Sequence, residues 1–199
     1  HLVDGRRVKV ISSAFCLFGE DAVVPLTEKA RVIFFNTAAN PESLLNKQFA
    51  FSTNFTIRED SEHIARFVSQ KLHARTAAII HLNTSFGESY RDNLTKYIGD
   101  HGGRVVITEK KDPDAVDFRT EITKIKALNP DVLIIIHFGS SLGNAIKQTR
   151  MLGITAPIIG DYESEDPMML QFAGAAAEGL IISSSQPEER SREVVAFEK

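Results

Sequence analysis

Two histidines, His81 and His137, each follow directly after a short apolar segment that is typical of a buried strand. An imidazole can transfer protons, bind a metal or contact a ligand near neutral pH. A partly buried imidazole can equally be bonded only to the backbone. The chain's histidines match no metal-binding motif. For His81 and His137, the sequence leaves a structural, a ligand-binding and a catalytic role open.

The sequence patterns of the common enzyme classes are absent. No Gly-x-Gly-x-x-Gly follows a predicted strand, and residues 139–143 lack the lysine and the spacing of a phosphate-binding loop. There is no Gly-x-Ser-x-Gly nucleophile motif and no His-Glu-x-x-His zinc motif. The single cysteine, Cys16, excludes an internal disulfide and a multi-cysteine zinc site. We therefore predict a protein that is not an enzyme and uses no metal or cofactor.

A repeated strand–helix unit positions both histidines. Short apolar segments occur at residues 77–80, 105–107, 132–136, 157–159 and 180–182, and amphipathic segments separate them. Strands that alternate with helices form a parallel sheet that is covered by helices on both faces. Ligands of such sheets bind beyond the carboxyl ends of the strands, which is where both histidines lie. The predicted fold class is α/β with a doubly wound parallel sheet.

Polar residues mark the expected starts of the helices between these strands. Ser85 and Glu88 match a capping box, Asp117 is a candidate cap for the next helix, and Asp166 with Pro167 opens a later one. The helix that starts near Ser85 has an apolar stripe. Its members are Phe86, Tyr90, Leu94 and Ile98.

The first sixty residues contain fewer elements. Residues 8–11 and 32–35 are predicted strands, residues 22–30 a short helix, and residues 49–56 an extended segment. Two strands cannot bury both of their faces, so this part is predicted to be an incomplete domain.

Charge and hydropathy exclude several partners. The net charge of −3 argues against binding to nucleic acid or to an anionic membrane, since both need a basic surface. No apolar run approaches the roughly 20 residues that span a bilayer. No signal peptide is visible, and the chain opens at His1 without a methionine, so we expect its true start to be missing.

Several motifs, taken in order, resemble the branched-chain amino-acid-binding (Leu/Ile/Val-binding) family of type I periplasmic solute-binding proteins, which serve ABC importers. Residues 85–88 resemble the family's Tyr-Gly elbow, and residues 175–179 its Ala-x-Glu-Gly motif. The other matching segments are Asp117-Phe118, residues 122–132, Lys147-Gln148, Gly153, residues 156–160, and, upstream, residues 22–25, 36–42 and 49–51.

The resemblance implies the type I periplasmic-binding fold, with doubly wound parallel sheets in two lobes, and an incomplete chain. Residues 1–60 would be part of lobe one with the first crossover, and residues 61–184 would be nearly all of lobe two. Residues 185–199 would form the second crossover and the start of the return to lobe one. The first strands and the closing segment of lobe one would be missing.

The resemblance also implies a ligand site between the lobes that closes by a hinge motion. The lobe-one candidates are Cys16, Leu17, Asn36, Thr37 and Ala39. The lobe-two candidates are Phe86, Phe138, Tyr162 and Glu163. Other roles remain open: Phe86 and Phe138 as core residues, Tyr162 as an exposed loop residue, and Thr37 as a turn cap.

Some of these positions depart from the family pattern. Family members usually carry Ser or Thr where this chain has Cys16, Leu17 and Ala39. Tyr162 stands where amino-acid binders usually carry an acid for the ligand's ammonium group, although Asp161 and Glu163 flank it. We therefore hypothesise that the ligand is a small carboxylate or aromatic acid rather than leucine itself. Cys16 is either a buried thiol or the partner of a cysteine in the missing part.

The function that the resemblance implies is periplasmic or extracellular capture of a small organic ligand, an amino acid or a related carboxylate, for an ABC permease. A ligand-sensing domain of a receptor with the same fold is the alternative. Fold analogy alone does not choose between them.

Overall fold

A small parallel sheet occupies the first part of the chain. The computed structural model describes residues 8–12, 20–36, 44, 46–52 and 56–184. The small sheet contains β1 (Val10–Ser12), β2 (Ile33–Asn36) and β3 (Ala50–Ser52), in that order, with helix α1 (Glu20–Ala30) between β1 and β2. The two strands predicted here are confirmed, and the extended segment supplies β3.

Helix α1 covers one face of the small sheet. Val24 of the helix packs with Phe34 and Ala50 of the strands, and all three are buried. The other face carries exposed apolar side chains, and the rings of Phe35 and Phe51 contact each other across β2 and β3 with centroids 5.7 Å apart. The described part of this sheet is therefore covered on one face only.

The larger sheet has five parallel strands, as the strand–helix repeat predicted. The strands are β4 (Thr76–Leu82), β5 (Arg104–Lys111), β6 (Val132–Ile136), β7 (Ile158–Gly160) and β8 (Ile181–Ile182), and their order is β5-β4-β6-β7-β8. The helices are α2 (Ile57–Gln70), α3 (Ser85–Asp100), α4 (Arg119–Leu128), α5 (Gly139–Met151) and α6 (Pro167–Ala173). Two short 3-10 helices span Tyr162–Glu165 and Gly174–Ala177.

The helices lie on both faces of this sheet because successive strand residues point to opposite sides. In β6, Ile134 and Ile136 pack with α2 and α3, whereas Leu133 and Ile135 pack with α4 and α5. All four side chains are fully buried. The predicted apolar stripe of α3 is also buried, in the core that α2 and α3 form with Ile134 and Ile136.

The helix caps differ in part from the sequence prediction. The N-cap of α3 is Thr84 and not Ser85, because the chain is still extended at Thr84, whose hydroxyl accepts a hydrogen bond from Gly87 N at 3.3 Å. A full capping box instead starts α2, where Thr56 and Glu59 bond to each other's backbone N–H. Asp117 lies one residue before the N-cap of α4, and it accepts a hydrogen bond from Arg119 N. Asp166 caps α6 as predicted.

Asp131 joins the amino ends of β4 and β6. Its Oδ2 atom accepts hydrogen bonds from Arg75 N, Thr76 N and Thr76 Oγ1 at 2.8–2.9 Å. The two backbone hydrogen bonds and the hydroxyl lower the pKa of this carboxyl. The ionised carboxylate therefore stabilises the folded state.

We expect Asp131→Ala to lower the free energy of unfolding of the full-length protein by about 1–2 kcal/mol, because the site is open to solvent. The wild-type advantage should be present above the ordinary carboxyl pKa and be lost as the pH falls through the lower folded pKa. Denaturant titrations between pH 2 and pH 7 measure it. Asp100→Ala, which removes an exposed ion pair with Lys96, is the control and should change little. Equal losses in both variants would contradict the prediction.

Candidate ligand-binding site

Three aromatic residues lie at the carboxyl edge of the larger sheet, each shortly after a different strand. Phe86 follows β4, Phe138 follows β6, and Tyr162 follows β7. Phe86 is buried and packs edge-on against Tyr90, with ring centroids 5.1 Å apart. Phe138 and Tyr162 are half-buried and pack against the same apolar core. The aromatic candidates therefore share the face of the sheet that α2 and α3 cover.

Both histidines that follow strands are buried and bonded to nearby backbone. His81 Nδ1 donates to the carbonyl oxygen of Leu82 at 2.9 Å. His137 Nδ1 accepts from Phe138 N at 3.2 Å, and its ring lies edge-on to Phe118. Burial lowers the pKa of His81, and it lowers that of His137 to about 4. Both rings are buried and bonded to backbone, as one of the open interpretations predicts, and burial favours their neutral form.

The loop after β7 carries the three consecutive residues Asp161, Tyr162 and Glu163. The Asp161 side chain is turned into the protein and is only 1% exposed. One of its oxygens accepts from Ser164 Oγ at 3.2 Å, and the other has no hydrogen-bond partner among the described residues. Burial, followed by the charges of Asp60 and Glu163, raises the Asp161 pKa well above its usual value. Asp161 therefore does not present a carboxylate to the solvent edge.

Glu163 is the half-buried acid of this loop. Burial, followed by the neighbouring Asp166 carboxylate, raises its pKa. Both effects disfavour a negative charge, so Glu163 is a weaker partner for a cation than an exposed glutamate would be.

A buried polar group beside these loops was missed by the sequence analysis. Asp60, in the first turn of α2, accepts hydrogen bonds from Tyr90 Oη at 2.7 Å and from Ser183 Oγ. The sequence does indicate that Asp60 is buried, because the helical spacing places it on the buried stripe between Ile57 and Ile64. A polar residue on such a stripe requires buried partners.

The lobe-one candidates are mostly outside the described residues. Asn36 is buried at the end of β2 and lies opposite Ser52 of β3. The remaining four, which are Cys16, Leu17, Thr37 and Ala39, lie outside the described residues. Their assignment to a ligand site stays a prediction, as does that of Asn36 and of the four lobe-two residues.

The described residues have neither a membrane-spanning helix nor a cluster of metal ligands. None of their helices is both long and apolar enough to cross a membrane. Within the same residues, no three His, Cys, Asp or Glu side chains are grouped so that they could hold a metal ion.

A family model described as a periplasmic binding protein matches residues 1–199 of the chain. The chain belongs to this family. Among curated relatives, the Leu/Ile/Val-binding protein of Citrobacter freundii is 21% identical over 182 residues, which are 88% of this chain and 48% of that protein. The chain thus spans about half the length of the curated relatives it matches, which agrees with the prediction of a fragment.

Solved structures of periplasmic binding proteins share the fold. A leucine-binding protein from Thermotoga maritima superposes with a TM-score of 0.88 at 20% identity, covering 98% of this chain and 57% of that one. A solute-binding protein of an ABC transporter from Rhodopseudomonas palustris, solved with 3,4-dihydroxybenzoic acid, gives a TM-score of 0.75 at 22% identity, covering 88% and 49%. The predicted family and the predicted type I periplasmic-binding fold are confirmed.

Proposed function

We propose that this periplasmic binding protein captures a small organic carboxylate outside the cytoplasm, in the periplasm or extracellular space, and delivers it to the permease of an ABC importer. The observation that supports this most is that Phe86, Phe138 and Tyr162 all lie at the carboxyl edge of the larger sheet and share one apolar core. Parallel α/β sheets bind their ligands beyond this edge.

Capture requires contacts that exist only when the two lobes close. A ligand that contacts only one lobe does not shift the equilibrium toward the closed state, because it binds the open and closed states equally. In this proposal the half-buried aromatic residues of lobe two, Phe138 and Tyr162, cover one side of the ligand, and Phe86 belongs to the core against which they pack. The lobe-one candidates, which are Cys16, Leu17, Asn36, Thr37 and Ala39, would supply the contacts from the other side.

The acids of the loop after β7 favour a ligand without an α-ammonium group. Asp161 is buried, and Glu163 lies in surroundings that disfavour its charge. A charge-assisted hydrogen bond contributes about 1.5–3 kcal/mol, so its absence lowers the affinity for an amino acid by about 10- to 100-fold. An aromatic carboxylate needs no such partner and can pack against the aromatic side chains. The Rhodopseudomonas palustris structure with 3,4-dihydroxybenzoic acid supports this ligand class.

Calorimetry on the full-length protein tests the proposal with leucine, benzoate and 3,4-dihydroxybenzoate. We expect at least one aromatic carboxylate to bind about tenfold or more tightly than leucine. Phe138→Ala should weaken that binding more than Phe172→Ala, which truncates an exposed phenylalanine on α6. Micromolar or tighter binding of leucine, with none of the aromatic acids, would overturn the assigned ligand class.

A further inference from the structure

The turn after β7, residues 160–166, carries two of the candidate ligand contacts. Tyr162 and Glu163 are half-buried members of the short 3-10 helix in this turn. The residues on either side of them, Asp161 and Ser164, are buried. The buried pair therefore anchors the turn, and the two candidates are the side chains left accessible between the anchors.

Ser164 folds back over Gly160 and closes the turn. Its N–H donates to the carbonyl oxygen of Asp161 at 3.0 Å, and its hydroxyl donates to Asp161 Oδ1 at 3.2 Å. A Cβ at position 160 would lie 2.7 Å from Ser164 Cβ and closer still to Ser164 Oγ. Apart from the chain neighbours of Gly160, no other described heavy atom lies within 4 Å of that point. Ser164 thus fills the space above Gly160, and only glycine at position 160 leaves room for it.

The strand side of this contact is held in place by the sheet. Gly160 pairs with Ile135 of β6 and with Ile182 of β8, and its carbonyl oxygen accepts from Ser183 N at 3.2 Å. Because β7 is paired on both sides, it cannot shift without breaking backbone hydrogen bonds. A side chain at position 160 would therefore displace Ser164 and the turn rather than the strand.

The far end of the turn lies against the loop of another candidate, Phe138. Asp166 Oδ2 would be 3.5 Å from a Cβ at Gly139, the residue that follows Phe138. Asp166 Oδ1 accepts from Met168 N at 2.8 Å and so starts α6 at this point. A displacement of the turn would therefore also change the position of Tyr162 relative to Phe138.

We propose that Gly160 and Ser164 are positioning residues that fix the turn after β7 and thereby set which ligands the protein prefers. Both residues are buried, so they act through the turn and not by touching the ligand. Their packing decides how Tyr162 and Glu163 are presented, and these two side chains differ in charge and shape. The part of the inference that concerns ligands rests on the proposed function.

A double-mutant cycle between the two positions tests the packing. In the ligand-free, full-length protein, Gly160→Ala should speed hydrogen exchange of residues 161–166 by about tenfold or more, because the methyl group displaces Ser164. Ser164→Gly removes both clashing atoms, so in that background Gly160→Ala should change the exchange rates by less than about twofold. Ser164→Ala keeps the Cβ that would lie at 2.7 Å, so in that background the effect of Gly160→Ala should again be large.

Gly99→Ala is the control glycine substitution, because a Cβ at Gly99 meets nothing within 4 Å. It should leave exchange of residues 161–166 unchanged in all three backgrounds. The positioning role is overturned if Gly160→Ala does not speed exchange of the turn, or if it does so equally with and without Ser164→Gly. If Gly160→Ala does not fold, recovery of folded protein by the added Ser164→Gly change supports the contact, and failure to recover it overturns the proposal.

Ligand preference is the readout that a purely structural role would not change. Calorimetry with leucine, benzoate and 3,4-dihydroxybenzoate gives the ratio of affinities for each variant. Gly160→Ala should reduce the preference for the aromatic carboxylate over leucine by about tenfold, because Tyr162 leaves the place where it packs against an aromatic ligand. Adding Ser164→Gly should return the ratio to within about twofold of that of Ser164→Gly alone. A ratio that stays at the wild-type value while exchange of the turn speeds up would overturn the link to ligand preference.

The two measurements distinguish failure of this inference from failure of the proposed function. The exchange measurements use ligand-free protein, so they test the contact between Gly160 and Ser164 whatever the ligand is. If wild type binds none of the three compounds, the proposed ligand class is wrong and the link to ligand preference falls with it. The exchange cycle then still decides whether the pair fixes the turn.

Discussion

Gly87→Ala should destabilise the full-length protein strongly, by about 3 kcal/mol or more, since it forces a methyl group into backbone atoms. A Cβ at Gly87 would lie 2.7 Å from Leu82 N and closer still to Leu82 O. These atoms belong to the end of β4 and cannot move aside as a flexible side chain can. Overpacking usually lowers the free energy of unfolding by about 1–3 kcal/mol. A contact with rigid backbone should lower it by the upper value of this range or more.

Gly99→Ala, in the same helix, is the matched control. A Cβ at Gly99 meets nothing within 4 Å, so the substitution only removes conformational freedom from the unfolded chain. We expect a gain of up to about 1 kcal/mol. Thermal unfolding followed by circular dichroism compares the two variants. Similar losses in both would show that the close approach of α3 to β4 at Gly87 is not what demands glycine.

Tyr162→Glu should increase the affinity for leucine by about 10- to 100-fold. The substitution places a carboxylate at the position where the resemblance to amino-acid binders expects a partner for the ligand's ammonium group. A charge-assisted hydrogen bond of about 1.5–3 kcal/mol accounts for the gain. The affinity for an aromatic carboxylate should fall, because the new charge repels it and an aromatic contact is lost.

Tyr162→Gln separates charge from shape in this test. Glutamine has nearly the size of glutamate and no charge, so it should leave leucine binding close to that of the wild type. Calorimetry with leucine and 3,4-dihydroxybenzoate on both variants gives the comparison. Equal leucine affinity in the Glu and Gln variants would mean that residue 162 does not face the ammonium position.

The sequence predicted the regular elements well where local patterns decide them. The stripe Phe86, Tyr90, Leu94 and Ile98 is buried, and the five predicted strands form one parallel sheet. The cap of α3 was predicted one residue late, because Thr84 and Ser85 are both suitable caps and only the backbone conformation decides between them. Asp166 has no such competitor, since Pro167 fixes the first turn of α6.

The site was less predictable, because it depends on contacts between distant residues. Asp60 and Ser183 are 123 positions apart, and no local pattern relates them. The inward rotation of Asp161 could not be inferred either, since Asp161, Tyr162 and Glu163 are all plausible ligand contacts in sequence. Only the packing of the loop after β7 decides which side chain is buried.

The order of strands in the larger sheet has a consequence for synthesis on the ribosome. The first strand of this sheet to emerge, β4, is an internal strand. Each later strand of the sheet pairs with one already present: β5 and β6 with β4, β7 with β6, and β8 with β7. Each strand after β4 therefore finds a pairing partner that has already been synthesised when it emerges. We expect this half of the protein to assemble outward from β4 while the chain is still growing, as domains generally fold as units during translation.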